Sequence, residues 1–196
     1  MLSRIPLFAA ANALDQACGT GLVTFELSRK AGARSLIVGL DLSLAMLAVA
    51  SRNRRKLQLT NTAFVRAAAE LLPFREACFR YVTIGLALRN FGDRMSVFRE
   101  SLRILRTHGW FFSVDFVRPE QRIIWRIYRF HIFHVLPVVA RLVSSHWNQT
   151  MIYLANTIVL SSAPTQISDQ LVQAGFRHSF TERITLGVVA LVGAQK

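Results

Sequence analysis

Two short apolar runs, each ending on an aspartate, constrain this chain more than any other feature. The first passes through Ala13-Leu14-Asp15 and turns at Ala17-Cys18-Gly19-Thr20-Gly21 into a helical pattern. The second, Ser35 to Leu40, ends on Asp41. A strand, a glycine turn, a helix and a second strand tipped by an acid make the layout of a nucleotide-type site. The glycines let backbone approach a ligand, and the acid can accept hydrogen bonds from ribose hydroxyls. The spacing is G-x-G with no third glycine three residues on, which favours a ligand without a pyrophosphate.

Apolar runs keep alternating with helical periodicity further along. Strands are predicted near 11–16, 35–40, 63–65, 81–85 and 110–116. Helices are predicted over about 21–31 and 43–52, and from Asp93 or Ser96 to about Leu105. Ser43 is placed to cap the second helix, and Thr107-His108-Gly109 reads as a turn. Such alternation specifies a parallel sheet with helices on both faces. Beyond Pro119 the pattern changes to helices over 120–143, 149–160 and 165–174, the last preceded by Pro164 and stopped by Gly175. Strands near 177–183 and 187–193 are close enough to pair as an antiparallel hairpin at a sheet edge. The expected fold is α/β, a mostly parallel seven-stranded sheet.

The chain's 196 residues suffice for one core, and a hydrophobic content of 52% excludes disorder. Net charge is +13, almost all from arginine, since only Lys30, Lys56 and Lys196 are lysines. That charge fits attraction to acidic lipid or nucleic acid, and equally fits arginines on solvated faces. No arginine–aromatic motif for nucleic acid stands out, so nucleic acid is not an expected partner. Cys18 and Cys78 suggest neither a disulfide framework nor a zinc site, and a reducing compartment follows. His131 and His134 have a spacing that permits metal binding, but no third ligand is evident and no metal is expected. The nearest approach to a bilayer span, 123–143, is broken by Arg126, Arg129, His131, His134 and Arg141. A cleaved leader over Met1 to Ala11 would remove the first strand and is rejected. The expected location is cytoplasmic, peripheral to the inner face of the membrane.

Several ordered segments carry a family likeness. They are Leu14-Asp15 with Ala17-Cys18-Gly19-Thr20-Gly21, Gly39-Leu40-Asp41-Leu42-Ser43 with Met46-Leu47, and Ala69-Glu70 with Leu72-Pro73-Phe74. Leu88-Arg89-Asn90, Gly109 with Asp115-Phe116, His134-Val135-Leu136-Pro137 and Tyr153-Leu154 follow, then Ala174-Gly175-Phe176 and Gly187-Val188-Val189-Ala190-Leu191. On these residues the chain resembles the ubiquinone/menaquinone-biosynthesis C-methyltransferases, which are class I S-adenosylmethionine-dependent enzymes with a Rossmann-like fold. The likeness covers nearly the whole chain. The glycine turn alone indicates only the superfamily, whereas the Leu-Arg-Asn and Gly-Val-Val-Ala-Leu segments are more specific.

The resemblance implies S-adenosylmethionine as cofactor. Asp15 then takes the methionine ammonium or orders a water, and the turn Ala17, Gly19, Thr20 and Gly21 offers N–H groups to its carboxylate. Asp41 accepts from both ribose hydroxyls, Leu42 and Met46 pack near the adenine, and Ala69 and Glu70 complete the cofactor set. Arg89 and Asn90 follow the fourth strand and are expected to be catalytic. Arg89 would stabilise a ring oxyanion, and Asn90 would orient the ring oxygen or a water. Tyr128, His134 and Tyr153 are expected to line a quinone pocket. Alignment of carbon, methyl and sulfur is the main protein contribution to such a reaction. The segment 120–143 suits either an anionic membrane surface, admitting a polyprenyl tail, or simple closure over the site.

Three departures from the family pattern stand out. Ala68 occupies the place of an aspartate that accepts from the adenine amino group, a contact worth about 1 kcal/mol. Leu86-Ala87 replaces Phe-Gly. Only about a dozen residues precede the first strand, so a single domain over 1–196 without the family's N-terminal helices is expected. The leading expectation is C-methylation of a prenylated quinone precursor, demethylmenaquinone or a demethylated ubiquinone intermediate. The alternatives are a related lipid methyltransferase and a non-catalytic methyltransferase-like subunit of a quinone-biosynthesis complex. A homo-oligomer is a further possible partner state.

Overall fold

A computed structural model describes residues 11–119, 121–136, 138, 145–159 and 161–196. Seven strands form one sheet in the order β3-β2-β1-β4-β5-β7-β6. The strands are β1 (Ala13–Gln16), β2 (Ile37–Asp41), β3 (Thr62–Arg66), β4 (Phe79–Gly85), β5 (Leu105–Phe116), β6 (Arg177–Ile184) and β7 (Val189–Gln195). The first five run parallel, and β7 lies antiparallel to both β5 and β6. The predicted seven-stranded sheet with its C-terminal hairpin is therefore the fold observed. Strand order reverses between β1 and β4, which opens a crevice beyond their carboxyl ends.

Strand alternation splits the core between the two faces. Leu14, Val82, Phe111 and Val192 project to one side, packing with residues of α3 (Arg94–Ile104) and α6 (Pro164–Gln173). Their neighbours Ala13, Tyr81, Phe112 and Leu191 project to the other, against Leu27 and Ala31 of α1 (Leu22–Ala31). Phe98 meets Phe111 edge-on at 5.6 Å on the first face. A third, small cluster holds α4 (Arg122–Phe130) against α5 (Ser145–Val159) through Ile132, Ala155 and Ile158, with Trp125 and Tyr128 packed on them.

Capping residues set the helix starts. Ser43 accepts from the Met46 N–H at 3.3 Å to open α2 (Leu44–Lys56), as expected. Of the two candidates for α3, the structure uses Asp93, which accepts from the Ser96 N–H. One expectation changes. The turn at Thr107–Gly109 lies within β5 as an irregularity: pairing jumps from Phe79↔Leu105 to Tyr81↔Trp110, and the intervening residues bulge. The segment after Pro119 is helical as expected where it is described: α-helical over Arg122–Phe130, widened into a π turn at His131–Val135, and helical again at Leu136 and Val138. The rest of the predicted 120–143 helix lies largely outside the described residues. Among the described residues, no helix is long and apolar enough to cross a membrane.

Gly39 shows why β2 carries a glycine in mid-strand. A Cβ there would stand 2.6 Å from the Phe64 ring and 2.9 Å from the Cys18 sulfur. Gly39→Ala is expected to cost about 1–3 kcal/mol through overpacking. Thermal unfolding should show it as a Tm several degrees lower, at roughly 2–4 °C per kcal/mol for a chain of this size.

Candidate functional site

Asp15, next to last in β1, is fully buried, and its carboxylate is held from two elements. Thr24 of α1 donates to Oδ2 at 2.6 Å, and Thr83 of β4 donates to Oδ1 at 3.1 Å. Burial pushes the Asp15 carboxyl up to about 7, against the pull of these hydroxyls. Neither threonine was singled out from sequence. Thr83 becomes visible only through register, because it is the β4 residue paired with Asp15.

After Asp15 the backbone enters the left-handed region at Ala17, Gly19 and Gly21, with φ of 52°, 55° and 91°. At Gly21 a Cβ would also strike the Phe25 ring at 2.7 Å, whereas at Gly19 the space is open. The turn is stitched to the end of β2. The Cys18 N–H donates to Leu40 O at 2.9 Å, and the Gly19 N–H donates to Asp41 Oδ2 at 2.8 Å. The other carboxylate oxygen of Asp41 accepts from the Ser43 N–H at 2.9 Å. Asp41 thus fastens both flanking turns, and its carboxylate retains acceptor capacity for a ligand.

Beside Asp41 lies a cavity of about 280 Å³ at the carboxyl ends of the parallel strands. Ala17, Asp41, Leu42, Ala69 and Glu70 line it, as does Asn90. Leu40, Ala67, Ala68, Ala87 and Phe91 complete the wall. Ala68 and Ala87 are two of the departures from the family pattern; Leu40, Ala67 and Phe91 are not expected as site residues from sequence, because apolar side chains carry no chemical signature. The loop behind the wall is fixed from α3. Glu100 accepts from the Leu72 N–H at 2.8 Å, and Arg103 donates to the carbonyls of Leu72 and Phe74. Asp15, Gly19, Thr20 and Gly21 form the adjoining strand end and turn. Met46 sits one turn into α2, half exposed and outside this lining.

Arg89 and Asn90 share a short 3₁₀ turn, Leu88–Asn90, yet face different tasks. The Arg89 side chain is only 9% exposed and forms an ion pair with Asp115 at the end of β5. Its guanidinium also donates to Leu86 O at 2.7 Å and to Thr157 of α5 at 3.1 Å. Asp115 Oδ2 accepts from the Arg89 backbone N–H at 3.1 Å. Burial pushes the Asp115 carboxyl up, while the Arg89 guanidinium opposes that shift. Asn90 faces the cavity and accepts through Oδ1 from the Tyr153 hydroxyl at 3.1 Å. Tyr153 is therefore brought to the site. Tyr128 is not: it packs in the α4–α5 cluster, where burial pushes its phenol up to about 12. His134 lines a separate cleft on α4, stacked on Phe130 at 4.9 Å.

The buried carboxylates give two expected outcomes. Asp15 has a native pKa near 7 and an unfolded value near 4, so between these the native state holds more protons. Stability should therefore fall as pH rises from about 4 through 7. Asp15→Asn should flatten most of that slope in melting curves, leaving the smaller part that Asp115 contributes with the same sign. Removing one member of the other pair strands a buried charge: Arg89→Ala should lose about 3–5 kcal/mol in denaturant unfolding.

Comparison with known proteins agrees with this geometry. The ubiE/COQ5 methyltransferase family model matches residues 5–196. The ubiquinone/menaquinone biosynthesis C-methyltransferase UbiE of Pseudoalteromonas translucida is 32% identical over 179 residues, covering 91% of this chain and 71% of the relative. A demethylmenaquinone methyltransferase of Oceanobacillus iheyensis is 29% identical over 190 residues, covering 97% and 79%. The crystal structure of a SAM-dependent methyltransferase from Aquifex aeolicus superposes with a TM-score of 0.74 at 14% identity, covering 99% of this chain and 86% of that one. At that identity the superposition speaks for the fold. The family match, nearly end to end, makes this chain a member of the ubiE/COQ5 methyltransferase family.

Proposed function

We propose that the chain binds S-adenosylmethionine in the cavity beside Asp41 and transfers its methyl group to a ring carbon of a prenylated quinone precursor. The observation that carries the reading is the Asp41 carboxylate, fixed by the Gly19 and Ser43 N–H groups at the rim of an apolar, alanine-walled cavity. A carboxylate held this way suits vicinal hydroxyls, and the wall of Leu40, Leu42, Ala67 to Ala69 and Phe91 suits a flat base. The open space over Gly19 suits the methionine end, with the Asp15 carboxylate buried behind the turn as the counter-charge. When bound, the cofactor supplies a methyl group already activated on a sulfonium. The names of the relatives, demethylmenaquinone methyltransferase and ubiquinone/menaquinone biosynthesis C-methyltransferase, support a quinone precursor as acceptor.

The residues then divide the work. Carbon methylation needs the electron-rich ring of the reduced, hydroquinone form, whose oxygen would carry negative charge once its proton passes to solvent. The ring carbon would take the methyl as the methyl–sulfur bond breaks, and the hydrogen it replaces would leave as a proton. With Oδ1 accepting from Tyr153, the Asn90 amide nitrogen is the group assigned to that oxygen. Arg89 is a positioning residue. It and Asp115 hold the 3₁₀ turn that presents Asn90, and its bond to Thr157 docks the helix that carries Tyr153. A second reading, a non-catalytic subunit, is favoured by Ala68 and by an Arg89 guanidinium committed to Asp115.

Calorimetry with S-adenosylmethionine separates the two. Binding at micromolar to low millimolar cofactor is expected, and no heat at millimolar cofactor would sink the enzyme reading. Ala68→Asp should tighten binding roughly fivefold, the equivalent of about 1 kcal/mol for one hydrogen bond restored. In assays of methyl transfer to demethylmenaquinone and to a demethylated ubiquinone precursor, each chemically reduced to its hydroquinone, Asn90→Ala should lower kcat by roughly 10²–10³ with cofactor affinity little changed. An equal loss of affinity would remove Asn90 from its assigned role.

A further inference from the structure

The outward face of α4 carries an apolar stripe. Ile123, Ile127 and Phe130 recur at i, i+4 and i+7 and are 76%, 66% and 60% exposed. The helix has a second apolar face, Trp125 and Tyr128, already packed on the α4–α5 cluster, so the outer stripe is surplus to folding. Arg122, Arg126 and Arg129 lie together along one flank of the stripe, all exposed. No acid occurs anywhere from Gln121 to Ser168, so nothing in that stretch of sequence offsets their charge. Between Arg126, Arg129, Phe130, Phe133 and His134 lies a cleft of about 550 Å³.

We infer that this face docks on a bilayer surface bearing anionic lipid. Apolar residues set into the headgroup boundary and arginines beside lipid phosphates are the two terms such binding requires, and α4 presents both on adjacent strips. Charge complementarity selects the occupant: a neutral apolar partner would leave the arginine flank unused. The placement also relates the surface to the cavity. α4 packs on α5, and α5 carries the Tyr153 that donates to Asn90. A lipid phase against α4 therefore lies one helix away from the cavity wall. The inference does not depend on the proposed methyl transfer.

Co-sedimentation of the full chain with lipid vesicles tests it. Binding is expected to vesicles of phosphatidylcholine with about a third phosphatidylglycerol, and to weaken as ionic strength rises several-fold. Arg126→Gln with Arg129→Gln should weaken that binding by more than tenfold, at roughly fivefold per arginine. Ile127→Ser with Phe130→Ser should abolish it at low and high salt alike. Leu186→Ser, at another exposed apolar site, should leave it unchanged. Because the substituted side chains are exposed, melting curves should match the parent and report folding independently. Equal binding to pure phosphatidylcholine, or parent-like binding by either folded double variant, would overturn the inference. So would lipid-free self-association that Ile127→Ser with Phe130→Ser removes, which would assign the face to a second copy.

Discussion

The carboxylate of Asp15, caught between the hydroxyls of Thr24 and Thr83, is the interaction on which the rest of the site depends. It joins β1, the first turn of α1 and β4 at the point where strand order reverses. It fixes the strand side of the glycine turn, whose far side is held to β2 through Leu40 and Asp41. The arrangement runs against ordinary solvation, since a carboxylate prefers water. A buried anion behind an open backbone turn is nevertheless a good neighbour for a cationic ligand, whose charge restores what burial removed. Structure and affinity are thus linked through one oxygen pair.

Much of the fold was legible because its signals are local. The alternating apolar runs gave the strands, and the caps at Ser43 and Asp93 gave helix starts. The acid-tipped strands marked where a ligand would sit, and the cavity lies there. What the chain concealed was non-local. The pairing of Arg89 with Asp115 joins the turn after β4 to the end of β5, and no spacing rule foretells that a motif arginine will turn inward. Thr83 gains its role only once β4 lies beside β1 in a particular register. The bulge near His108 imitates a turn because both need a residue at positive φ, here 60°. Tyr128 and Tyr153 are alike in composition, but only one reaches Asn90.

The region after β5 is organised by a different logic from the sheet. Among the described residues, α5 is attached through the buried Ala155 and Ile158 and by polar ties to the turn after β4, Thr157 to Arg89 and Tyr153 to Asn90. Polar ties of this kind are directional and individually modest, so they fix orientation more than they add stability. The helices flanking the cavity are therefore aimed by the same turn that supplies its polar side chain. The π turn after Phe130 contributes Ile132 to the small apolar core of this layer.

Asp41 holds two posts at once. It closes the glycine turn through Gly19 and opens α2 through Ser43, and its remaining acceptor capacity faces the cavity. The backbone needs this aspartate whether or not anything is bound. Replacing this acid would undo two backbone hydrogen bonds at once, so a ligand's contact and the closure of the fold share one side chain, and the site cannot be emptied of its acceptor without loosening the turns that shape it.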